Sequence, residues 1–363
     1  MSRLLRRTLR APGKLFLAGE YAVLWGGACR VMAVAPHTHA AVVRREDREV
    51  HLLLEEGRLM GTASTSGVRW KGPVTPPFAF VARTVDLALR AAGQESLGFA
   101  LALSPSPRAE DGQKLGMGSS ARAVVLAAEA TRYVLDARFD ALRLALAAHA
   151  HAQGGKGSGG DVVASGAGGL LRYRRYEVKP LLEAAQTSRL GAALSEAPPI
   201  DLVRLPQPKV ELIWAYGGEA ASTTGLIGRA EARLSDAARE DFVRRSDALG
   251  EVLEDGLTRA GAFDRLREAC EGSRALLGEL GPLETPIMQQ ILALAGSYGC
   301  TGKQSGAGGG DGCILFAPDP ESRHALIEAL TLRGIRAQPV APAQGLGGSS
   351  EEDPQLNSWL SAG

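Results

Sequence analysis

Three stretches of the chain set lysine, serine and aspartate among closely spaced glycines: residues 114–121 (KLGMGSSA), 153–161 (QGGKGSGGD) and 303–312 (KQSGAGGGDG). Such runs suit an anion. Glycine lets backbone approach a ligand closely, and amides that line a curled loop or open a helix aim their N–H groups at negative charge. In the first stretch Gly116 and Gly118 precede an Ala-rich helix, with the hydroxyls of Ser119 and Ser120 able to bind a phosphate or Mg²⁺. The spacing is neither that of a Walker A loop nor that of a dinucleotide fingerprint. An ordinary helix start with Ser119 as N-cap accounts for the same residues. In the second stretch Lys156 can hold an anion, Ser158 can donate to it, and Asp161 can accept a proton or bind a metal. A flexible loop capped by Asp161 is the alternative. In the third, Lys303, Ser305 and Asp311 are the polar groups of a loop that can lie flat against a ligand, or of a long hairpin.

The elements that must position these loops follow from periodicity and breaks. Residues 14–17, 31–35, 40–45 and 50–54 read as strands. A helix is expected over 78–92, a strand over 97–103, and two Ala/Leu-rich helices over 119–135 and 139–153, entered through the first loop and left through the second. Short strands follow at 170–173 and 210–215, then helices near 224–234, 242–257, 263–280 and 286–296. The third loop joins strands at 299–303 and 313–316, ahead of a helix at 323–332 and a strand near 335–340. Strands precede mixed helices and strands in both halves, which favours an α+β fold. The Pro-rich stretch 198–208 marks a lobe boundary, and the Gly/Ser/acidic end is expected to be loose.

Composition narrows the classes. The chain has 363 residues and 45 glycines, 17 of them within the 34 residues 112–118, 154–169 and 302–312, so the excess is local and not a collagen period. Apolar content of 45% and a net charge of +1 exclude a disordered chain, and near-neutrality gives no basic footprint for nucleic acid. No apolar run is long enough to span a membrane. The Arg-rich start lacks the apolar core of a signal peptide. Cys29, Cys270, Cys300 and Cys313 have no metal-ligand spacing and read as reduced thiols of a cytoplasmic protein.

Residues 11–21 read APGKLFLAGEY, 115–123 read LGMGSSARA and 303–312 read KQSGAGGGDG. In this order they resemble the three motifs of the galactokinase, homoserine kinase, mevalonate kinase and phosphomevalonate kinase (GHMP kinase) superfamily: APGKxxLxGE followed by Tyr or His, GLGSSAA, and K-x-SGAGGG. The details are most similar to the phosphomevalonate kinase branch, through Asp311 after the glycine run, the GEY ending, and residues 148–169, which resemble AQGKxGSGxDVA. Met117 stands where Leu is usual, Arg122 where a small residue is usual, and Gln304 where Pro is usual, while Gly312-Cys313 inverts a Cys-Gly. None removes a polar group the chemistry would use.

The resemblance implies a two-lobed fold, with a ribosomal-protein-S5-like lobe over 1–200, a ferredoxin-like lobe over 201–345, and 346–363 as a tail. It implies transfer of the γ-phosphoryl group of ATP, with Mg²⁺, to 5-phosphomevalonate in the mevalonate route to isoprenoids, by a monomer or homodimer. Lys14 and Asp161 would be catalytic. Lys114, Gly116, Gly118, Ser119, Ser120 and Ala121 would bind the nucleotide, with Ser120 on the metal. Lys14, Glu20, Tyr21, Lys156, Ser158, Ser222, Lys303, Ser305, Gly306 and Ala307 would face the acceptor. A phosphate acceptor is mostly ionised at neutral pH, so Asp161 is expected to orient Lys14 and the metal more than to remove a proton. Mevalonate kinase, another small-molecule kinase of the superfamily, or a non-catalytic sensor are the alternatives; intact Lys14 and Asp161 argue against the sensor. His149 and His151 read as packing or solvent-facing residues of an Ala-rich helix, and Trp70 as either an adenine-pocket residue or a loop aromatic.

Overall fold

The computed structural model describes residues 5–93, 97–108, 112, 115–155, 157–218, 223–350 and 353–361. Lys114, Lys156 and Ser222 therefore lie outside the described residues. The first lobe contains strands β1 (Arg6–Ala18), β2 (Ala28–Arg44), β3 (Glu49–Leu54), β4 (Gly57–Ser64), β5 (Gly67–Trp70), β6 (Phe99–Leu103), β7 (Leu170–Arg174) and β8 (Leu202–Arg204). Its helices are α1 (Ala79–Ala92), α2 (Ser119–Val134), α3 (Ala141–Ala152), α4 (Gly160–Ala167), α5 (Lys179–Ala184) and α6 (Leu190–Glu196). The two strands expected at 31–35 and 40–45 are one long strand, β2, paired antiparallel with β1 through a register shift between Pro12 and Gly13. Only β3 and β6 run parallel; the other pairs of this sheet are antiparallel.

The second lobe contains β9 (Glu211–Tyr216), α7 (Thr223–Arg233), α8 (Asp236–Thr258), α9 (Phe263–Gly278), α10 (Pro286–Ser297), β10 (Thr301–Gln304), β11 (Gly312–Ala317), α11 (Pro320–Thr331) and β12 (Ala337–Val340). Its strands are ordered β10-β11-β9-β12, the antiparallel pattern of a ferredoxin-like sheet. The change of sheet falls between Arg204 and Glu211, inside the Pro-rich stretch and a few residues beyond 200.

The end of the chain, expected to be loose, is docked. Strand β13 (Gly347–Gly348) pairs with β1 at Leu9 and Arg10, and α12 (Pro354–Ser361) packs on the sheet of the first lobe. Side chains of a strand alternate between its faces. Ala40, Val42, Phe99 and Leu101 therefore meet the helical core, while Ala41, Leu53, Ala100 and Ala102 meet Leu356 of α12. The alanines leave room for the helix, and Leu356 is 1% exposed.

The lobes share a core. Leu15, Leu17, Met32 and Val34 of β1 and β2 pack with Trp214, Leu253, Ile314 and Phe316 of the second lobe. Arg30 adds a buried ion pair to Glu254, at 2.8 Å, and packs so tightly against α8 that a side chain at Gly250 would run into its guanidinium. Among the described residues no helix is long and apolar enough to cross a membrane.

Candidate active site

Lys14 reaches the site because β1 alternates. Leu15 and Leu17 point into the shared core, Phe16 points to the other face, and the Lys14 ammonium lies 5.4 Å from the Phe16 ring centroid. Its stem lies against Gly118, where an added Cβ would stand 3.0 Å from Lys14 Cγ and where φ is +77°. Both the contact and the backbone demand glycine.

Two helices open towards this lysine from left-handed glycines. The helices α3, α8, α10 and α11 are capped by Asp140, Ser235, Thr285 and Asp319. The helices α2 and α4 start from Gly118 and Gly159, both left-handed; no side chain caps α2, whereas at α4 the Gly160 N–H donates to Ser158 Oγ at 3.2 Å and the Val162 N–H to Asp161 Oδ1. Ser119 is thus not the N-cap. The free amides of α2, at the positive end of its dipole, are left for an anion.

A cavity of about 370 Å³ between the lobes collects the groups. Lys14, Glu20, Tyr21, Gly116, Gly118, Ser119, Ser120, Ser158 and Asp161 line it from the first lobe, and Gly306, Ala307 and Asp311 from the second. Ala121 is fully buried behind this wall. Asp311, at φ +46°, sits over Gly116, where an added Cβ would be 3.0 Å from its carboxylate. The third loop thereby closes on the first.

Asp161 lies in the first turn of α4. Its Oδ1 accepts the Val162 N–H at 2.9 Å, and its Oδ2 is 3.6 Å from Nε2 of His149. The same Nε2 lies 3.1 Å from Ser120 Oγ. His149 is 2% exposed and its ring lies 5.2 Å from that of Phe80. It links the carboxylate of the second loop to a hydroxyl of the first, a role its Ala-rich helix did not reveal. His151 is on the exposed side, bonded to Arg83. The second loop is held from below: the Tyr173 hydroxyl donates to the Ser158 carbonyl at 3.1 Å and accepts the Tyr176 N–H at 2.8 Å.

Lys303 and Ser305, expected to touch the acceptor, are placed beneath the cavity. Lys303 is fully buried, donating to the Glu20 carboxylate and, at 2.6 Å, to the Gln304 carbonyl. Ser305 Oγ accepts the Phe16 N–H at 2.9 Å. Both fasten the third loop to β1, so the expectation is corrected: their polar atoms are already engaged by protein. Tyr21 completes the fastening, donating from its hydroxyl to the Ala307 carbonyl at 2.8 Å. Burial, reinforced by the Glu20 charge, pushes this phenol above its ordinary value, so it stays a donor. Burial likewise raises all four cysteine thiols, which are free and buried and not poised as nucleophiles.

A second cleft, of about 230 Å³, shares Ser119 and Ser120 with the cavity and has apolar walls of Leu54, Pro76, Pro77 and Phe80. Trp70 is not in it; that side chain packs over Gly61 against the core of the first lobe. No cluster of three or more His, Cys, Asp or Glu able to hold a metal occurs among the described residues. Ser120 and Asp161 are nonetheless hard oxygen donors, the kind Mg²⁺ accepts alongside phosphate oxygens and water.

A ferredoxin-like second lobe, a mixed-sheet first lobe and a phosphate-type loop at the junction define a class, the GHMP kinases, which are phosphotransferases. The family model "GHMP kinases C terminal" matches residues 253–336, and the chain belongs to this family. Within it the chain is most like the phosphomevalonate kinases. It is 30% identical to the phosphomevalonate kinase of Streptomyces sp. (strain CL190), over 92% of this chain and 96% of that protein. It is 23% identical to the mevalonate kinase of Pyrococcus abyssi, over 89% of this chain and 92% of that protein. Among solved structures it superposes on Streptococcus pneumoniae phosphomevalonate kinase, in complex with phosphomevalonate and AMPPNP, with a TM-score of 0.76 and 22% identity over 92% of this chain and 99% of that one.

Proposed function

We propose that the protein transfers the γ-phosphoryl group of ATP to 5-phosphomevalonate, giving 5-diphosphomevalonate and ADP. One observation carries this: the uncapped start of α2, the start of α4 with Ser158, Lys14 and Asp161 converge on a single cavity between the lobes. Two anions that must react with each other need two such receptors. The choice of acceptor is supported by the 30% identity to a phosphomevalonate kinase and by Asp311 following the glycine run.

In this reading the nucleotide phosphates lie over the start of α2, against Gly116, Gly118, Ser119, Ser120 and the Ala121 amide, and Lys114 is proposed for the same ligand on the sequence resemblance alone. The purine occupies the cleft that shares the two serines, against its apolar wall of Leu54, Pro76, Pro77 and Phe80. The acceptor phosphate lies towards the start of α4 with Lys14 and Ser158, and Lys156 and Ser222 are proposed for the same ligand on the sequence resemblance alone. Ser120 and Asp161 would hold Mg²⁺, which when bound would supply neutralising charge. An oxygen of the acceptor phosphate forms the new bond to the γ-phosphorus while the bond to the departing ADP oxygen breaks. Catalysis here is positioning and electrostatics. The acceptor has its second pKa near ~6 and is mostly dianionic at neutral pH, so Asp161 orients Lys14 and the metal. Gly306 and Ala307 close over the phosphates, held by Tyr21, Ser305 and the Glu20–Lys303 pair.

The test is ADP release in a coupled assay with phosphomevalonate, mevalonate, homoserine and galactose side by side. Turnover of phosphomevalonate alone is expected. Preference for mevalonate would reassign the acceptor, and no turnover of any would favour a sensor.

A further inference from the structure

Arg122 is the fourth residue of α2 and lines the same cavity as Lys14, Ser119 and Asp161. It is 2% exposed. Its hydrogen bonding is meagre: Nη1 donates to the Pro36 carbonyl at 3.1 Å, and Nε, buried as well, donates to nothing. Among the described residues no carboxylate forms an ion pair with it. Arg30, buried to the same degree, shows what this fold otherwise does with such a group, since its Nε meets Glu254 at 2.8 Å and its Nη1 meets the Ala28 carbonyl. A buried cation without a counter-charge is costly. Desolvation lowers the pKa of Arg122 to about 10, with no acidic neighbour to raise it again, so at neutral pH the charge persists and an anion must offset it from the cavity.

We infer that Arg122 is a binding residue whose guanidinium receives a phosphoryl oxygen in the cavity, from the nucleotide or from the acceptor. The inference rests on the kinase reading above. It concerns a feature of this chain, because the motif that 115–123 resembles has a small residue at this place. A guanidinium fixed at one nitrogen by a backbone carbonyl is pre-oriented, and its remaining donors match a phosphate. The competing role is mechanical, a brace between α2 and Pro36.

The experiment is calorimetric titration of wild type, Arg122→Met and Arg122→Lys with AMPPNP, 5-phosphomevalonate and mevalonate, with melting temperatures of the ligand-free proteins. Methionine keeps much of the volume and removes the charge. The expected result is binding about 10- to 100-fold weaker for at least one phosphorylated ligand in Arg122→Met, partly restored in Arg122→Lys, with no fall in melting temperature. A loss confined to AMPPNP assigns the oxygen to the nucleotide. A loss for phosphomevalonate but not mevalonate assigns it to the acceptor. Wild-type affinity of Arg122→Met for both phosphorylated ligands overturns the inference. So does an equal loss for phosphomevalonate and mevalonate together with a lowered melting temperature, which identifies a brace. If wild type binds AMPPNP but not phosphomevalonate, the acceptor reading fails while the nucleotide arm still decides the role of Arg122.

Discussion

The ammonium of Lys303 donates to the carboxylate of Glu20 in an ion pair closed to water, joining the end of the first motif to the strand that enters the third loop. The two residues are 283 positions apart. Their pairing sets the height of Gly306 and Ala307 over the cavity. Removing one partner of such a pair leaves a buried, uncompensated charge, which costs about 3–5 kcal/mol. Glu20→Ala or Lys303→Ala is therefore expected to lose stability on that scale in urea denaturation. Replacing both by apolar residues of similar volume should recover most of it. A single variant as stable as wild type would show that the pair is open to water in solution.

Lys14→Met should lower kcat by roughly 10²–10³, because the proposed reaction loses a cation that lines its cavity while the fold is kept. Steady-state kinetics decide this. A change confined to KM would make Lys14 a binding residue only.

Asp161→Asn should slow the reaction with phosphomevalonate but leave measurable turnover. For an alcohol acceptor, loss of a base costs typically ~10²–10⁴ in rate; an ionised phosphate needs no such base. Complete inactivity with normal folding and normal nucleotide binding would contradict an orienting role.

His149→Leu severs the link between Ser120 and Asp161 and should lower kcat by about 10-fold, with Ser120 and Asp161 both present. His149→Gln, which keeps a polar group in reach, should recover part of it. The measurement is kcat beside AMPPNP affinity, and unchanged values in His149→Leu would reduce the histidine to packing against Phe80.

Much of the site was legible because its motifs are local. The order of the three glycine loops, and the helices that follow two of them, can be read along the chain, and the structure brings Lys14, Ser119, Ser120 and Asp161 to one cavity. What could not be read is pairing across distance. A lysine in a glycine loop looks the same whether it faces a ligand or faces Glu20, so the sequence around Lys303 does not show its burial. His149 sits among alanines at helical spacing, and nothing local shows that the starts of α2 and α4 flank it. Hairpin strands β4 and β5 are not legible because glycine, serine and charged residues dilute their alternation. The docking of α12 depends on the small residues Ala41, Ala100 and Ala102, whose vacancy for a helix appears only once the sheet is assembled.

That docking makes the first lobe discontinuous in sequence. Its edge strand β13 and its covering helix α12 are among the last described elements, after the whole second lobe has been traversed. A ribosome releasing this chain would expose the alanine face of the sheet until residues 347–361 emerged. The second lobe is in effect an insertion between the body of the first and its final pieces, so the two lobes are expected to mature together, and a cut at the proline-rich boundary would not yield a self-sufficient half.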